Sequence, residues 1–362
     1  MKAAVIHENG DLDQVVIDDI PSPECMADEV LIEVRAAALN HLDIWVRRGR
    51  PGHELSFPHV LGSDATGVVL ETGSDVDHVK PGDKVVINPG LSCGFCEFCR
   101  RGQQSECLHF GIVGLSRPGT FAERTVVPGR NVSRKPGYLS DEEAAALPLA
   151  YLTAWRMLFS RGGLALGETV LIHGIGGGVA LAALQLAKLA SAKVIVTSSS
   201  ENKLDKAREL GADLTINYIE YPDVGAAVKD LTHGRGVDLA IDTTGAETWE
   251  SNFNAVRRGG RIVHCGVTTG ARANVNISAL YWNHITVMGS TMGSDEDFRQ
   301  LLAAAKTAQL RPVIDVILPL DHAREAIGRM EAGKQFGKIV LSPRGKEAGL
   351  EEAEAARGME PA

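Results

Sequence analysis

The chain has 362 residues, 44% of them hydrophobic and 23% charged, with a formal net charge of -9. That length predicts two domains, or one large and one small, with ample core, and the acidic balance argues against a nucleic-acid or anionic-membrane partner. No apolar run approaches the length that spans a bilayer, and the opening MKAAVIHENGD is broken by polar residues before a signal h-region could form, so the expected location is cytoplasmic.

Short β-like runs fill the first third: AAVIH, VLIEVRAAAL, GVVLETG and DKVVINPG, punctuated by turn signals such as Pro81-Gly82-Asp83. They predict an irregular, mostly antiparallel β domain. Within it, four of the six cysteines, Cys93, Cys96, Cys99 and Cys107, follow a C-x2-C-x2-C-x7-C spacing. In a cytosolic chain such clustering points to metal before disulfides. Four thiolates on a glycine-bearing loop can close tetrahedrally around one zinc, and with no position left for water the site is structural. An iron–sulfur cluster and unliganded thiols are the alternatives. Cys25 and Cys265 are isolated and read as buried structural residues.

The texture changes near residue 140, where Ser140 precedes Asp141, Glu142 and Glu143 as a helix cap with favourable first-turn charges. From about 165 to 290 strands and helices alternate, which predicts a parallel sheet covered by helices on both faces. Strands are expected at 169–173, 193–197, 237–242, 261–265 and 285–289. In TVLIHGIGGGVALAALQLAK a glycine turn (Gly174, Gly176, Gly177, Gly178, then Val179) lies between a strand and a helix. Bare glycines let a pyrophosphate approach the backbone, and the helix N-terminus offers N–H groups and a positive dipole end. Ala180 stands at the last small position of the usual spacing. The second strand ends in Thr197-Ser198-Ser199-Ser200, with no acid before Glu201, and Lys203 follows. A carboxylate there would bind a ribose 2′-hydroxyl; hydroxyls and a lysine suit a 2′-phosphate, so the cofactor expected is NADPH. Beyond 290 a helix, a strand, a helix and a closing strand (GKIVLS) lead to a Glu/Ala-rich end that reads as a solvated tail.

Taken together, the four-cysteine loop, VLIHGIGGGVALAALQLAK, AAALNHLDIWVRRG, FPHVLGSDATGVV, PGDKV, LPLAYLTAW and GKIVL resemble the medium-chain dehydrogenase/reductase family, which includes zinc-type alcohol dehydrogenases and quinone reductases. The resemblance covers residues 1 to about 343. It implies an α/β chain with a GroES-like, β-rich catalytic domain (1–140, carrying the zinc loop 93–107), a doubly wound Rossmann domain for NADP (141–290), a return to the catalytic domain (291–343) and a flexible tail (344–362). Where zinc alcohol dehydrogenases hold a catalytic metal on Cys, His with a neighbouring Glu, and Cys, this chain has Asn40, Ser63 with Asp64, and Leu149. Leu42 replaces the hydroxyl that starts the alcohol proton relay. A substitute site from His41, Asp43 and Asp64 is the alternative, which would make the protein an alcohol dehydrogenase with non-standard ligands.

The zinc-independent quinone and enone reductases are the better match, through N-x-x-D (Asn40, Asp43) and a 2′-phosphate set of Ser199, Lys203 and Tyr218. The resemblance implies that His41 meets the pyrophosphate, that Asn40 stands near the nicotinamide and the substrate carbonyl, and that Thr153 lines the nicotinamide. For Asp43 it leaves open a catalytic role or support of its own loop. The expected activity is NADPH-dependent hydride transfer to a small quinone or α,β-unsaturated carbonyl. Some relatives instead bind NADPH as redox-sensing or RNA-binding proteins with little turnover, against which the acidic charge weighs. Pairing of the last Rossmann strand across Trp282–Met292 would make a homodimer or homotetramer.

Overall fold

A computed structural model gives the fold; it describes residues 1–49, 52, 54–343 and 345, so the expected tail lies outside the described residues apart from Gly345. The chain divides into two compact units, one of residues 1–149 with the segment from Ser294 onward, the other Ala150–Gly293.

The first unit is built on a seven-stranded sheet whose central strand, Glu29–Ala38, pairs antiparallel with Asp64–Thr72, Arg124–Pro128 and the closing strand Lys338–Ser342. Ile314–Pro319 runs parallel to that closing strand at the sheet's edge. A three-stranded sheet of Val16–Asp19, Lys2–Ile6 and His59–Val60 and a two-stranded pair of Gly90–Leu91 with Gly111–Ile112 belong to the same unit. The small side chains Ala36 and Ala38 are fully buried and pack with Ala145, Ala146 and Val340. Those two alanines belong to the short helix Asp141–Ala146, which begins as the sequence predicts. The Glu143 N–H donates to Ser140 Oγ at 3.1 Å, and the Ser140 N–H donates to Glu143 Oε2 at 2.8 Å. This reciprocal cap satisfies two of the N–H groups a helix start leaves unpaired.

The second unit is a six-stranded, wholly parallel sheet in the order Leu214–Asn217, Lys193–Ser198, Thr169–Ile172, Val237–Asp242, Val256–His264, Thr286–Gly289. In chain order that is 3-2-1-4-5-6, the doubly wound arrangement, with its reversal between Thr169–Ile172 and Val237–Asp242. In-register Ile195, Leu171, Ala240 and Ile262 form a fully buried row across the sheet, as expected of strands covered on both faces. Helix Gly178–Leu189 turns a face of Ala180, Ala183, Leu184 and Ala187 inward. Its many alanines allow close approach to the sheet. No helix among the described residues is long and apolar enough to cross a membrane.

Substituting Ser140→Ala removes one half of the reciprocal cap. We expect a loss of about 1 kcal/mol, read from the denaturant midpoint at unchanged m-value.

Candidate functional site

In the first unit, the register of the closing strand brings distant polar residues together. Val340 pairs with Ala38; two residues further along the same antiparallel register, Lys338 comes opposite Asn40. Ala38 also pairs with Asp64 on its other side. The Lys338 ammonium therefore sits among oxygens: the Leu39 carbonyl at 2.6 Å, Asn40 Oδ1 at 2.6 Å and Asp64 Oδ2 at 3.2 Å. Asn40 Nδ2 donates to the same Asp64 oxygen at 2.9 Å, and the Leu149 N–H donates to Asp64 Oδ1 at 2.9 Å. Lys338 is 4% exposed and Asp64 0%.

Asp43, on the first turn of helix His41–Arg48, is also buried and accepts the Asn40 N–H at 2.8 Å. The cluster thus holds two carboxylates and one ammonium. Burial pushes the Asp43 carboxyl up to about 7 and also raises that of Asp64, with Lys338 opposing both.

Both Asp64 oxygens are taken by donors, Asn40 offers an amide already engaged on both its ends, and the fully buried Ser63 hydroxyl has no partner among the described residues. His41 stacks edge-on with Trp45 at 5.4 Å, and burial, aided by the positive charge of Arg48, lowers its pKa. Among the described residues, the one group of three or more His, Cys, Asp or Glu side chains that converges as metal ligands is the cysteine set. Lys338 was not among the residues singled out from sequence. Its signal was a lone charge within the apolar closing strand.

Cys93, Cys96, Cys99 and Cys107 are brought together by the loop and the short helix Glu97–Arg100. Their sulfurs stand 3.9 Å (Cys93–Cys99), 3.5 Å (Cys96–Cys99), 3.8 Å (Cys96–Cys107) and 3.5 Å (Cys93–Cys107) apart. A tetrahedron with zinc–sulfur bonds of about 2.3 Å has edges of about 3.8 Å, so the set fits a zinc ion held by four thiolates. Backbone N–H groups point at the sulfurs, from Cys96 to Cys93 Sγ and from His109 to Cys107 Sγ. Cys25 and Cys265 take no part.

In the second unit, the glycine turn leads from strand Thr169–Ile172 into helix Gly178–Leu189, with Gly177 as a cap that has no side chain to offer. The first-turn N–H groups, those of Gly178 and Val179 among them, have no intrahelical partner. Gly174 and Gly176 have φ of +67° and +118°, the region glycine alone enters freely. A Cβ on Gly177 would meet nothing nearer than 3.7 Å. The fold itself does not demand that bareness, and a pyrophosphate seated against the turn would use it.

At the neighbouring strand ends, Ser199 is exposed and Lys203 half-buried, while Tyr218 follows the strand that pairs with Ser198 through Asn217. Glu201, the nearest acid, is engaged elsewhere: Arg208 donates to it at 3.0 Å and Asn217 at 3.4 Å. Thr153 is buried on helix Pro148–Trp155, with its hydroxyl 4.0 Å from the Met292 sulfur.

The ammonium and Asp64 compensate each other, which fixes what their removal should do. Lys338→Met strands a buried carboxylate and should cost about 3–5 kcal/mol in denaturant unfolding. Adding Asp64→Asn in the same chain should recover most of that loss; a double variant no more stable than Lys338→Met would contradict the pairing.

Two family models match the chain: an alcohol dehydrogenase GroES-like domain over residues 26–137 and a zinc-binding dehydrogenase over residues 178–307. A zinc-type alcohol dehydrogenase-like protein of Schizosaccharomyces pombe is 31% identical, covering 93% of this chain and 98% of that protein. An acryloyl-coenzyme A reductase of Sulfurisphaera tokodaii is 28% identical, covering 95% and 100%. The crystal structure of an NAD-dependent alcohol dehydrogenase superposes with a TM-score of 0.91 at 43% identity, covering 94% of this chain and 99% of that one. With its GroES-like unit, its doubly wound unit and full-length relatives of this kind, the chain belongs to the zinc-type alcohol dehydrogenase-like, medium-chain dehydrogenase/reductase family of oxidoreductases.

Proposed function

We propose that the protein is an NADPH-dependent reductase that delivers hydride to a quinone or an α,β-unsaturated carbonyl without a catalytic zinc, and that its single zinc is the structural ion of Cys93, Cys96, Cys99 and Cys107. One observation carries the reading: both oxygens of Asp64 already accept, Oδ2 from the buried Lys338 ammonium and from Asn40, Oδ1 from the Leu149 N–H. A catalytic zinc needs three protein ligands and an open position. Asn40, Ser63 and Leu149 do not supply them.

NADPH, when bound, supplies the hydride. A conjugated acceptor spreads the incoming charge onto its oxygen, so positioning and hydrogen-bond donors can serve in place of a metal. The glycine turn and the first-turn N–H groups of helix Gly178–Leu189 would bind the pyrophosphate, with His41 as a neutral donor to it. Ser199, Lys203 and Tyr218 would take the 2′-phosphate. The commitment of Glu201 to Arg208 and Asn217 supports that choice, whereas similar proteins include several NAD-dependent alcohol dehydrogenases. Thr153 would line the nicotinamide. Asn40, with its amide fixed by Asp64 and Lys338, would set the polar wall near the acceptor carbonyl, and Asp43 would hold Asn40 through its backbone N–H. A reductase of an acryloyl thioester among the relatives supports a conjugated acceptor.

We further propose a small-molecule enzyme acting as a homodimer or homotetramer. Strand Thr286–Gly289 ends its sheet, and Ile277, Tyr281 and Trp282 just before it are exposed. A second copy pairing on that edge would cover them.

The test is initial-rate kinetics with NADPH and NADH against 1,4-benzoquinone, 9,10-phenanthrenequinone, simple enones and a set of alcohols. Reduction of quinones or enones with NADPH preferred at least tenfold, together with Lys203→Ala reducing that preference, is the expected result. NAD-dependent alcohol oxidation without quinone or enone turnover would instead establish the alcohol dehydrogenase reading.

A further inference from the structure

The second unit carries a buried polar chain that the reaction above does not use. It crosses the carboxyl ends of the strands at the point where the strand order reverses, between Thr169–Ile172 and Val237–Asp242, which is where doubly wound sheets place their ligands. Its members are His173, Thr197, Asn252, Asp242 and His264. The first four are all but fully buried, and the His264 side chain is 22% exposed.

Chemistry fixes the direction of every link. Asn252 Nδ2 donates to Asp242 Oδ2 at 2.6 Å, so Asn252 Oδ1 must accept the proton of His173 Nε2 at 3.0 Å. In the neutral ring His173 Nδ1 is then an acceptor and takes the Thr197 hydroxyl at 3.4 Å. The Thr197 oxygen in turn accepts the Gly174 N–H, at 3.2 Å, inside the glycine turn. The Ile175 N–H is held by the Thr197 carbonyl at 2.9 Å. The neutral His173 that this order requires agrees with burial lowering its pKa.

At the other end, His264 Nδ1 faces Asp242 Oδ2 at the ion-pair distance of 3.6 Å, and Nε2 faces the Gly266 carbonyl at 2.7 Å. Among the described residues Nδ1 makes no hydrogen bond, and Asp242 Oδ2 already accepts from Asn252 and Thr248, so Nδ1 and Asp242 meet as an ion pair only when the ring carries both protons. The charge of Asp242 raises the His264 pKa against the opposing effect of burial. Asp242 also receives Thr248 Oγ1 at 2.7 Å and the Thr244 N–H at 2.8 Å, and its pKa is held below the ordinary carboxylate range.

The Gly266 carbonyl belongs to a tightly docked loop. Gly266 has φ of +113°, and a Cβ there would meet the Thr243 carbonyl at 2.7 Å. The Thr269 N–H donates to the Thr244 carbonyl at 2.9 Å.

Among the described residues, the elements packed on the strand Val256–His264 bring no second ion-pair partner to the ring. Trp249 covers it edge-on at 5.8 Å, while Glu247 and Glu250 on the same helix are exposed. Strand Thr286–Gly289 has no titratable side chain. The segment Arg156–Arg161 offers its two arginines, of which Arg161 is turned to the Gly289 carbonyl.

We propose that His264 is a positioning residue for the dinucleotide: as an imidazolium clamped between Asp242 and the Gly266 carbonyl, it joins the loop 265–270 to the glycine turn through Asn252, His173 and Thr197, so that cofactor affinity depends on its charge. The proposal rests on the dinucleotide-binding reading above. When pH rises through the His264 pKa the ion pair with Asp242 is lost, and the Nε2–H bond to the Gly266 carbonyl persists but loses its charge assistance and weakens. Affinity should therefore fall as pH rises. By linkage, the cofactor must raise the pH at which His264 titrates.

The experiment pairs NADPH titrations by fluorescence from pH 6 to 9 with NMR titration of the histidine ring of His264, assigned by its loss in His264→Gln. The expected result is a Kd that weakens about fivefold or more across the His264 titration, with His264 titrating at higher pH in the complex. In His264→Gln the Kd should be flat over that window. Thr197→Val, which cuts the link to Gly174 and preserves shape, should flatten the Kd profile while His264 still titrates. An unchanged His264 titration on binding NADPH overturns the proposal from the wild-type protein alone. So does a His264→Gln profile that follows the wild type, given retained zinc content and cooperative unfolding. If no dinucleotide binds at any pH, the reading of function falls as well; tight binding indifferent to His264 removes only this proposal.

Discussion

A single ammonium buried among oxygens sets the arrangement of the first unit. Lys338 lies 298 positions from Asn40 in sequence, yet its Nζ touches Leu39, Asn40 and Asp64. Placing a charge at such depth costs several kcal/mol unless partners compensate it. Here one carboxylate, one amide and one carbonyl do so, from the start of strand Asp64–Thr72, the cap of helix His41–Arg48 and Leu39 just past the central strand. The closing strand is thereby held in one register, since a slip by one residue would turn Lys338 to the opposite face and leave Asp64 uncompensated.

That same interaction bears on chemistry. Where similar enzymes are expected to carry a metal, this chain has two buried acids, both with raised pKa, and a lysine that opposes the rise in each. Asn40 gains a fixed orientation, because its carbonyl oxygen faces a cation and its amino group a carboxylate. A group so fixed needs no reorganisation when substrate binds. The zinc of the cysteine loop would be independent of this cluster, since its four thiolates complete a closed site.

Much of the architecture was legible because it rests on local rules. The glycine turn announced itself between a Val/Leu/Ile strand and an alanine-rich helix, the Ser140 cap carried its Glu143 partner three residues on, and the cysteine spacing spoke for four-fold ligation. Elements without a strong apolar period escaped: the short strand Leu214–Asn217, the polar helix Ala246–Ala255 and the half-exposed helix Ile277–Trp282. Lys338 escaped for a different reason. Its meaning lies in a long-range register, and nothing local tells a strand lysine that enters a cluster from one that faces water. The Leu149 contribution is a backbone N–H, which no side-chain pattern reports. The chain from His173 to His264 joins residues of four separate segments and exists only once the parallel sheet has aligned their carboxyl ends.

The central claim is that a self-compensated lysine–aspartate cluster occupies the place of catalytic metal coordination, leaving the cysteine loop as the chain's zinc site. Metal analysis of the purified full-length protein, dialysed against zinc-containing and then metal-free buffer, tests it most directly. The account predicts one zinc per chain, lost when Cys96 and Cys99 are both replaced by serine. Two tightly held zinc ions per chain, with one remaining in that cysteine variant, would contradict it.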